Sequence, residues 1–258
     1  GTSDDVLTRA GRFFGSQLPA ALYRVRWTTL VIAIGFLLVV AVTAAWVAAD
    51  PARVATLGPA DFLQKYAEED FTGYYTENPA AVFAGIVWSN NAMIALQCVL
   101  FGVTGIWPLW ALMQNAVGLG VSAAIMAVHG RLDVMVLYIL PHGMLELTCI
   151  FVAGAAGLRL FWAWVVPGGR GRGAALAEEG RALVTVAIGL VFALALAGLV
   201  EGFVTGWGLP WPVKIGIGGA ALAVFLIYML VVGGRAHRRG ETGDLVEYEA
   251  GTPRLVAG

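Results

Sequence analysis

The chain has 258 residues, 59% of them hydrophobic and only 13% charged, with a net charge of −1 and a mean hydropathy of +0.78. A soluble domain carries about 25% charged residues, so a soluble globular protein is excluded. So small a net charge also leaves no basic footprint for nucleic acid. Apolar runs consume almost the whole length, which leaves room for one integral membrane domain, residues 1–240, and a short tail, residues 241–258.

Residues 6–22 come first. Val6, Ala10, Phe13, Phe14, Leu18 and Ala21 recur at helical spacing, while Arg9, Arg12 and Ser16 fall elsewhere. This is the pattern of an amphipathic helix lying in the membrane interface; a helix packed on protein is the plainer alternative. The uncharged run Trp27–Ala49 follows. At the helical rise it spans roughly 35 Å, enough to cross a bilayer. It is too long for a cleavable signal peptide and has the wrong flank. The chain opens at Gly1 without a methionine, so upstream sequence is expected to be missing.

The loop Asp50–Pro79 carries Asp61, Glu68, Glu69, Asp70 and Glu77, and Pro59 opens a short surface helix that runs to Glu69. Five more spans are predicted at 81–106, 108–128, 134–158, 182–205 and 214–233. Gly105 with Pro108, and His129 to Arg131, mark tight reversals. The Gly-rich stretch Pro167–Gly173 reads as a flexible basic linker and lacks the ending of a phosphate loop. Cys98 and Cys149 fall inside apolar runs and read as buried thiols. The predicted fold is all-α: a polytopic transmembrane helical bundle with about six spans and an N-terminal interfacial amphipathic helix.

Basic residues set the orientation. Arg9, Arg12, Arg24 and Arg26, then Arg159, Arg170, Arg172 and Arg181, then Arg235, Arg238, Arg239 and Arg254 all fall on one side of a six-span arrangement. Only Arg53, Lys65, Arg131 and Lys214 fall on the other. The positive-inside rule then puts both termini in the cytoplasm of a bacterial, multi-pass inner-membrane protein.

Some spans carry polar groups where these are costly. A charge at the bilayer centre costs at least about 2.5 kcal/mol. Rise per residue places His142 about 12 Å and Glu146 about 18 Å into the fourth span, on one helix face. Asn90 and Asn91 lie about 15 Å into the second, and Glu201 lies in the outer half of the fifth. Asn90, Asn91, His142, Glu146 and Glu201 are therefore expected to share one buried polar cluster, with Gln114 and Asn115 as a second polar layer. A structural lock between helices is the favoured reading. A proton or ion path follows, and a metal site and catalysis come last, level with each other. One histidine and no HExxH spacing argue against metal, and no nucleophile with motif-like spacing argues against catalysis. Gly154 and Gly157, then Gly198, Gly202 and Gly206, then Gly216, Gly218 and Gly219 form small-residue faces that suit core packing and dimerisation equally.

The ordered series Asn90-Asn91, Gly102, Gln114-Asn115 with Gly118 and Gly120, Pro141-His142-Gly143 with Glu146, Gly154 and Gly157, and Glu201-Gly202-Phe203-Val204-Thr205 resembles the stage II sporulation protein M family. The likeness extends over most of the chain, about residues 10–235. It implies a polytopic bacterial membrane protein. The name-giving member helps assemble a peptidoglycan-remodelling complex during sporulation, and many relatives occur in bacteria that do not sporulate. The family is also distantly similar to the membrane domains of type 2 ABC exporters, with six spans and an interfacial leading helix.

The resulting expectation is a non-enzymatic membrane scaffold or assembly factor of the bacterial envelope, homodimeric, with the lipid bilayer and envelope or cytoplasmic proteins as partners. No cofactor, metal or nucleic acid is expected. A permease or channel subunit is the alternative that a water-filled path past Glu146 would mark. An intramembrane hydrolase using His142 and Glu146 is the alternative that a bound metal would mark.

Overall fold

The computed structural model describes residues 2–77, 79–205 and 207–244. Gly206, and the tail from residue 245 onward with Arg254, lie outside the described residues. The described residues form helices and no strands. Helix α1 covers residues 2–24, α2 Arg26–Ala48, α3 residues 60–76, α4 Ala80–Leu100, α5 Ile106–Val128, α6 Leu132–Val165, α7 Arg172–Thr205 and α8 Trp211–Arg238. Six of them, α2 and α4 to α8, are long and apolar enough to cross a membrane. The chain is an all-α polytopic helical bundle.

Several helices outrun their apolar runs. α6 and α7 have 34 residues each, about 51 Å at the helical rise, well beyond a hydrocarbon core of about 30 Å. Hydropathy marks where a helix is dry, not where it ends. The Ala, Leu and Glu of residues 174–179 are strong helix formers, so α7 starts ten residues before its apolar run. Pro167 and the glycines after it end α6 instead. The second predicted span, in turn, stops at Leu100, and a short turn ends at Gly105 with φ +66°. Only glycine takes that conformation cheaply. Ser89, Asn90 and Asn91 do not break α4, which is continuous.

Packing centres on α6, α7 and α4, where Leu145, Val152, Leu190, Leu194, Cys98 and Cys149 form the main core. Both cysteines are free thiols and fully buried. Glycines let these helices approach. A Cβ at Gly157 would collide with the Cys98 carbonyl, one at Gly202 with the Ala80 carbonyl, and one at Gly218 with the Pro141 carbonyl. Gly154 sits against Leu112, and Gly198 against Ala84. α2 and α8 are peripheral: 11% of their apolar windows is buried, against 44% in α6 and α7.

Both described ends of the chain meet at one end of the bundle. α1 is one continuous helix, but it divides in character. Val6, Leu7 and Phe14 are exposed, whereas Leu18 to Leu22 are buried, with Leu18 against Gly189 and Pro19 against Gly233. The second half of the predicted interfacial helix is therefore packed on protein. The start of the tail is held as well. Arg24 donates to the Thr242 carbonyl, Thr185 donates to the Gly243 carbonyl, and Arg181 grips Asp244 with two bonds of 2.5 and 2.7 Å. At the opposite end α3 runs on past Glu69 to Thr76. It buries Leu63, Ala67 and Phe71 against Met126 and Met135, and Tyr66 donates to Ser122 at 3.2 Å.

Candidate functional site

Helix periodicity puts His142 and Glu146 on one face of α6, one turn apart. They face the last turn of α7, where residues 201–205 widen into a π-helical turn. Such single π turns recur at functional sites. This one brings Glu201 and Thr205 towards His142 together. The His142 Nε2 atom lies 3.6 Å from Glu201 Oε1 and 4.0 Å from Glu146 Oε2. On the other side of the ring, Nδ1 lies 3.3 Å from Thr205 Oγ1. Facing atoms of His142, Glu146 and Glu201 all lie within 4.8 Å of one another. His142 is 4% exposed and Glu201 3%.

Partners for the second carboxylate oxygens differ. The Asn91 side chain engages the Glu146 carboxylate. Glu201 Oε2 has no hydrogen-bond partner among the described residues. Lys214 stands one layer behind. Its ammonium donates to the Thr205 carbonyl at 2.7 Å and sits 4.2 Å from the centre of the Trp211 ring. Tyr75 of α3 lids the cluster, with its ring 5.8 Å from the His142 ring. Burial, and after it the charges of Glu201 and Glu146, hold the Tyr75 phenol well above its usual range, so it remains neutral.

The structure thus brings together His142, Glu146, Glu201 and Asn91. It leaves out Asn90, which is exposed on α4. Gln114 is exposed too, and Asn115 donates to the Ala111 carbonyl of its own helix at 2.8 Å, so these two build no second layer. Gly154, Gly157, Gly198 and Gly202 act in packing within the chain; Gly206 lies outside the described residues. Thr205, Lys214 and Tyr75 are members that sequence reasoning missed. For Thr205 a signal existed, its place one helical turn after Glu201; for Tyr75, far from His142 in the chain, there was none.

A hydroxyl, an imidazole and a carboxylate in line have the order of a nucleophile, a base and its orienting acid. Thr205, however, is 1% exposed, so no substrate carbonyl reaches its oxygen. What the arrangement offers chemically is a lock between α6, α7 and α4, together with two carboxylates and one imidazole nitrogen converging on one point.

A second polar centre, also missed from sequence, lies at the end of the bundle where α1 meets residues 242–244. Glu179 of α7 is 6% exposed. It bonds Arg24 at 2.5 Å and Arg159 at 2.9 Å, and Arg159 also donates to the Arg24 carbonyl at 3.2 Å. Burial lowers the Arg24 guanidinium from its ordinary range, against the pull of Glu179. Three helices, α1, α6 and α7, are tied there by one carboxylate.

The family model described as Stage II sporulation protein M matches residues 31–206, which take in both the His142 turn and the Glu201–Thr205 turn. No curated protein and no solved structure matches the chain.

Proposed function

Since the chain belongs to the stage II sporulation protein M family, we propose that it is a non-enzymatic scaffold or assembly factor of the bacterial envelope, seated in the cytoplasmic membrane with both termini in the cytoplasm. The observation that carries this reading is closure. The polar groups that would do chemistry face one another inside the bundle, and Thr205, Glu201 and His142 are 1%, 3% and 4% exposed. Meanwhile α2 and α8 turn most of their apolar residues outward: Ile34, Leu37, Leu38 and Val42 on α2, Val224 and Ile227 on α8. The packing glycines of α6 and α7 are taken up within the chain, so a second copy or an envelope protein would meet these outer faces. The exposed half of α1, with Val6, Leu7 and Phe14, would lie in the cytoplasmic interface.

The test is a bulky substitution on the outer face of α2, such as Leu38→Trp or Ile34→Trp, followed by mild extraction from native membranes. The expected result is loss of a fixed-stoichiometry complex with an envelope protein and an unchanged melting temperature. The reading is overturned if the purified chain alone moves a solute across liposomes or hydrolyses a peptide, and His142→Ala removes that activity.

A further inference from the structure

We propose that His142, Glu146 and Glu201 form a binding site for one divalent transition cation of the zinc class, set between α6 and the last turn of α7.

The distances are the first argument. Neutral hydrogen bonds between nitrogen and oxygen run to about 3.2 Å. The imidazole nitrogen stands 3.6 and 4.0 Å from the two carboxylates, too far to bond them and too near to ignore them. Ligands bound at about 2.0–2.1 Å to a tetrahedral ion stand roughly 3.3–3.4 Å apart. From 3.6 and 4.0 Å on the imidazole side, with all three facing atoms within 4.8 Å of one another, a closure of roughly an ångström or less on that side would bring the set around an ion.

The second argument is an unpartnered atom. Glu201 is 3% exposed, its Oε1 points at the cluster, and its Oε2 has no hydrogen-bond partner among the described residues. A buried carboxylate oxygen left unpaired is costly, and a cation removes that cost. Charge is the third. Two ionised carboxylates against one neutral imidazole would carry an excess of negative charge in a water-poor interior, and a dication balances it where protons otherwise must. Lys214 does not take that place, since its ammonium is spent on the Thr205 carbonyl and the Trp211 ring.

The surroundings suit metal ligation. A ligating histidine usually donates its other ring N–H to an oxygen, which fixes the ring and its tautomer. Here Nδ1 lies 3.3 Å from the Thr205 hydroxyl, which can accept the Nδ1 proton and so leave the Nε2 lone pair for an ion. Asn91 does the same service for Glu146. One nitrogen and two oxygens select zinc, manganese or iron over calcium, which takes six or more oxygens. The ion would close the α6–α7 lock, so the site serves the fold whether or not the scaffold reading holds.

The test uses the full chain in detergent, stripped with a chelator and titrated with Co²⁺ and, separately, Zn²⁺. Visible d–d bands at one Co²⁺ per chain, displaced by Zn²⁺, and a rise in melting temperature with Zn²⁺ but not Ca²⁺, are expected. Glu201→Gln and His142→Ala should weaken binding at least tenfold, in line with the roughly 10–100-fold that even an outer partner contributes. Thr205→Val, which leaves every ligand in place, should weaken it less. If either variant fails to fold, the wild-type titration decides alone. No bands, and a melting temperature blind to both chelator and Zn²⁺, would overturn the proposal in favour of carboxylates balanced by protons. Equal binding to wild type and Glu201→Gln would overturn it in favour of adventitious metal.

Discussion

Glu146 and Glu201 sit in the same cluster, yet their side chains are held differently. Glu146 is gripped by Asn91 from α4, and its side chain is 17% exposed. Glu201 is nearer His142 and has one oxygen unpartnered. Sequence spacing pairs His142 with Glu146, one turn on, but the nearer carboxylate comes from another helix. This difference predicts the response to substitution with a chelator present, so that only hydrogen bonds are compared. Glu146→Gln keeps an oxygen for Asn91 and should leave the melting temperature near wild type. Glu146→Leu strands the Asn91 amide, itself 5% exposed; an unsatisfied buried group costs about 1–3 kcal/mol, which thermal unfolding in detergent should show as a clear drop. Equal stability of the two variants would remove Asn91 from the lock.

Helix approach is decided by which face of each helix carries its small residues. The glycine faces of α7 and α8 read alike in sequence, yet they meet different surroundings. Gly202 abuts the Ala80 carbonyl of α4, while Gly216 has nothing within 4 Å of a Cβ placed on it. Overpacking typically costs about 1–3 kcal/mol. Gly202→Leu is therefore expected to lower the melting temperature sharply or prevent folding, and Gly216→Leu to leave it unchanged. The reverse order would show that α7 and α4 do not pack as described. The same contrast explains why the GxxxG spacing could not tell core packing from dimerisation: it states that a close approach exists, not with which helix.

For the whole molecule, the contact of α1 with residues 242–244 puts both described ends on one side of the bundle, with α3 on the other. An even number of spans requires this, and the proposal that this side is the cytoplasmic one rests on the arginine distribution. Single cysteines at position 69 in α3 and position 172 at the start of α7 test the assignment with an impermeant thiol reagent on intact cells. The native Cys98 and Cys149 are fully buried and should stay silent. Glu69→Cys is expected to label and Arg172→Cys to be protected; labelling at position 172 alone would invert the topology.

Sequence by itself determined the features that depend on local composition. Continuous apolar runs make six spans, because in lipid the backbone must satisfy its own hydrogen bonds and a helix of about 20 apolar residues does so. Turn positions followed from Gly105 and Gly130, both at positive φ. That His142 and Glu146 share one face of their helix was legible from the helical spacing alone. Tertiary structure decided what depends on rotation and partner choice. Asn90 and Asn91 differ by about 100° around α4, and only the packed bundle shows that the second faces inward. The π turn at residues 201–205, which turns Glu201 and Thr205 to His142, is a local register change that no hydropathy pattern reveals. The arginines counted as topology signals proved, for Arg24 and Arg159, to be ligands of a buried Glu179. Charge counting sees which side of the membrane a residue is on, and only the fold brings side chains far apart in the chain within reach of one carboxylate.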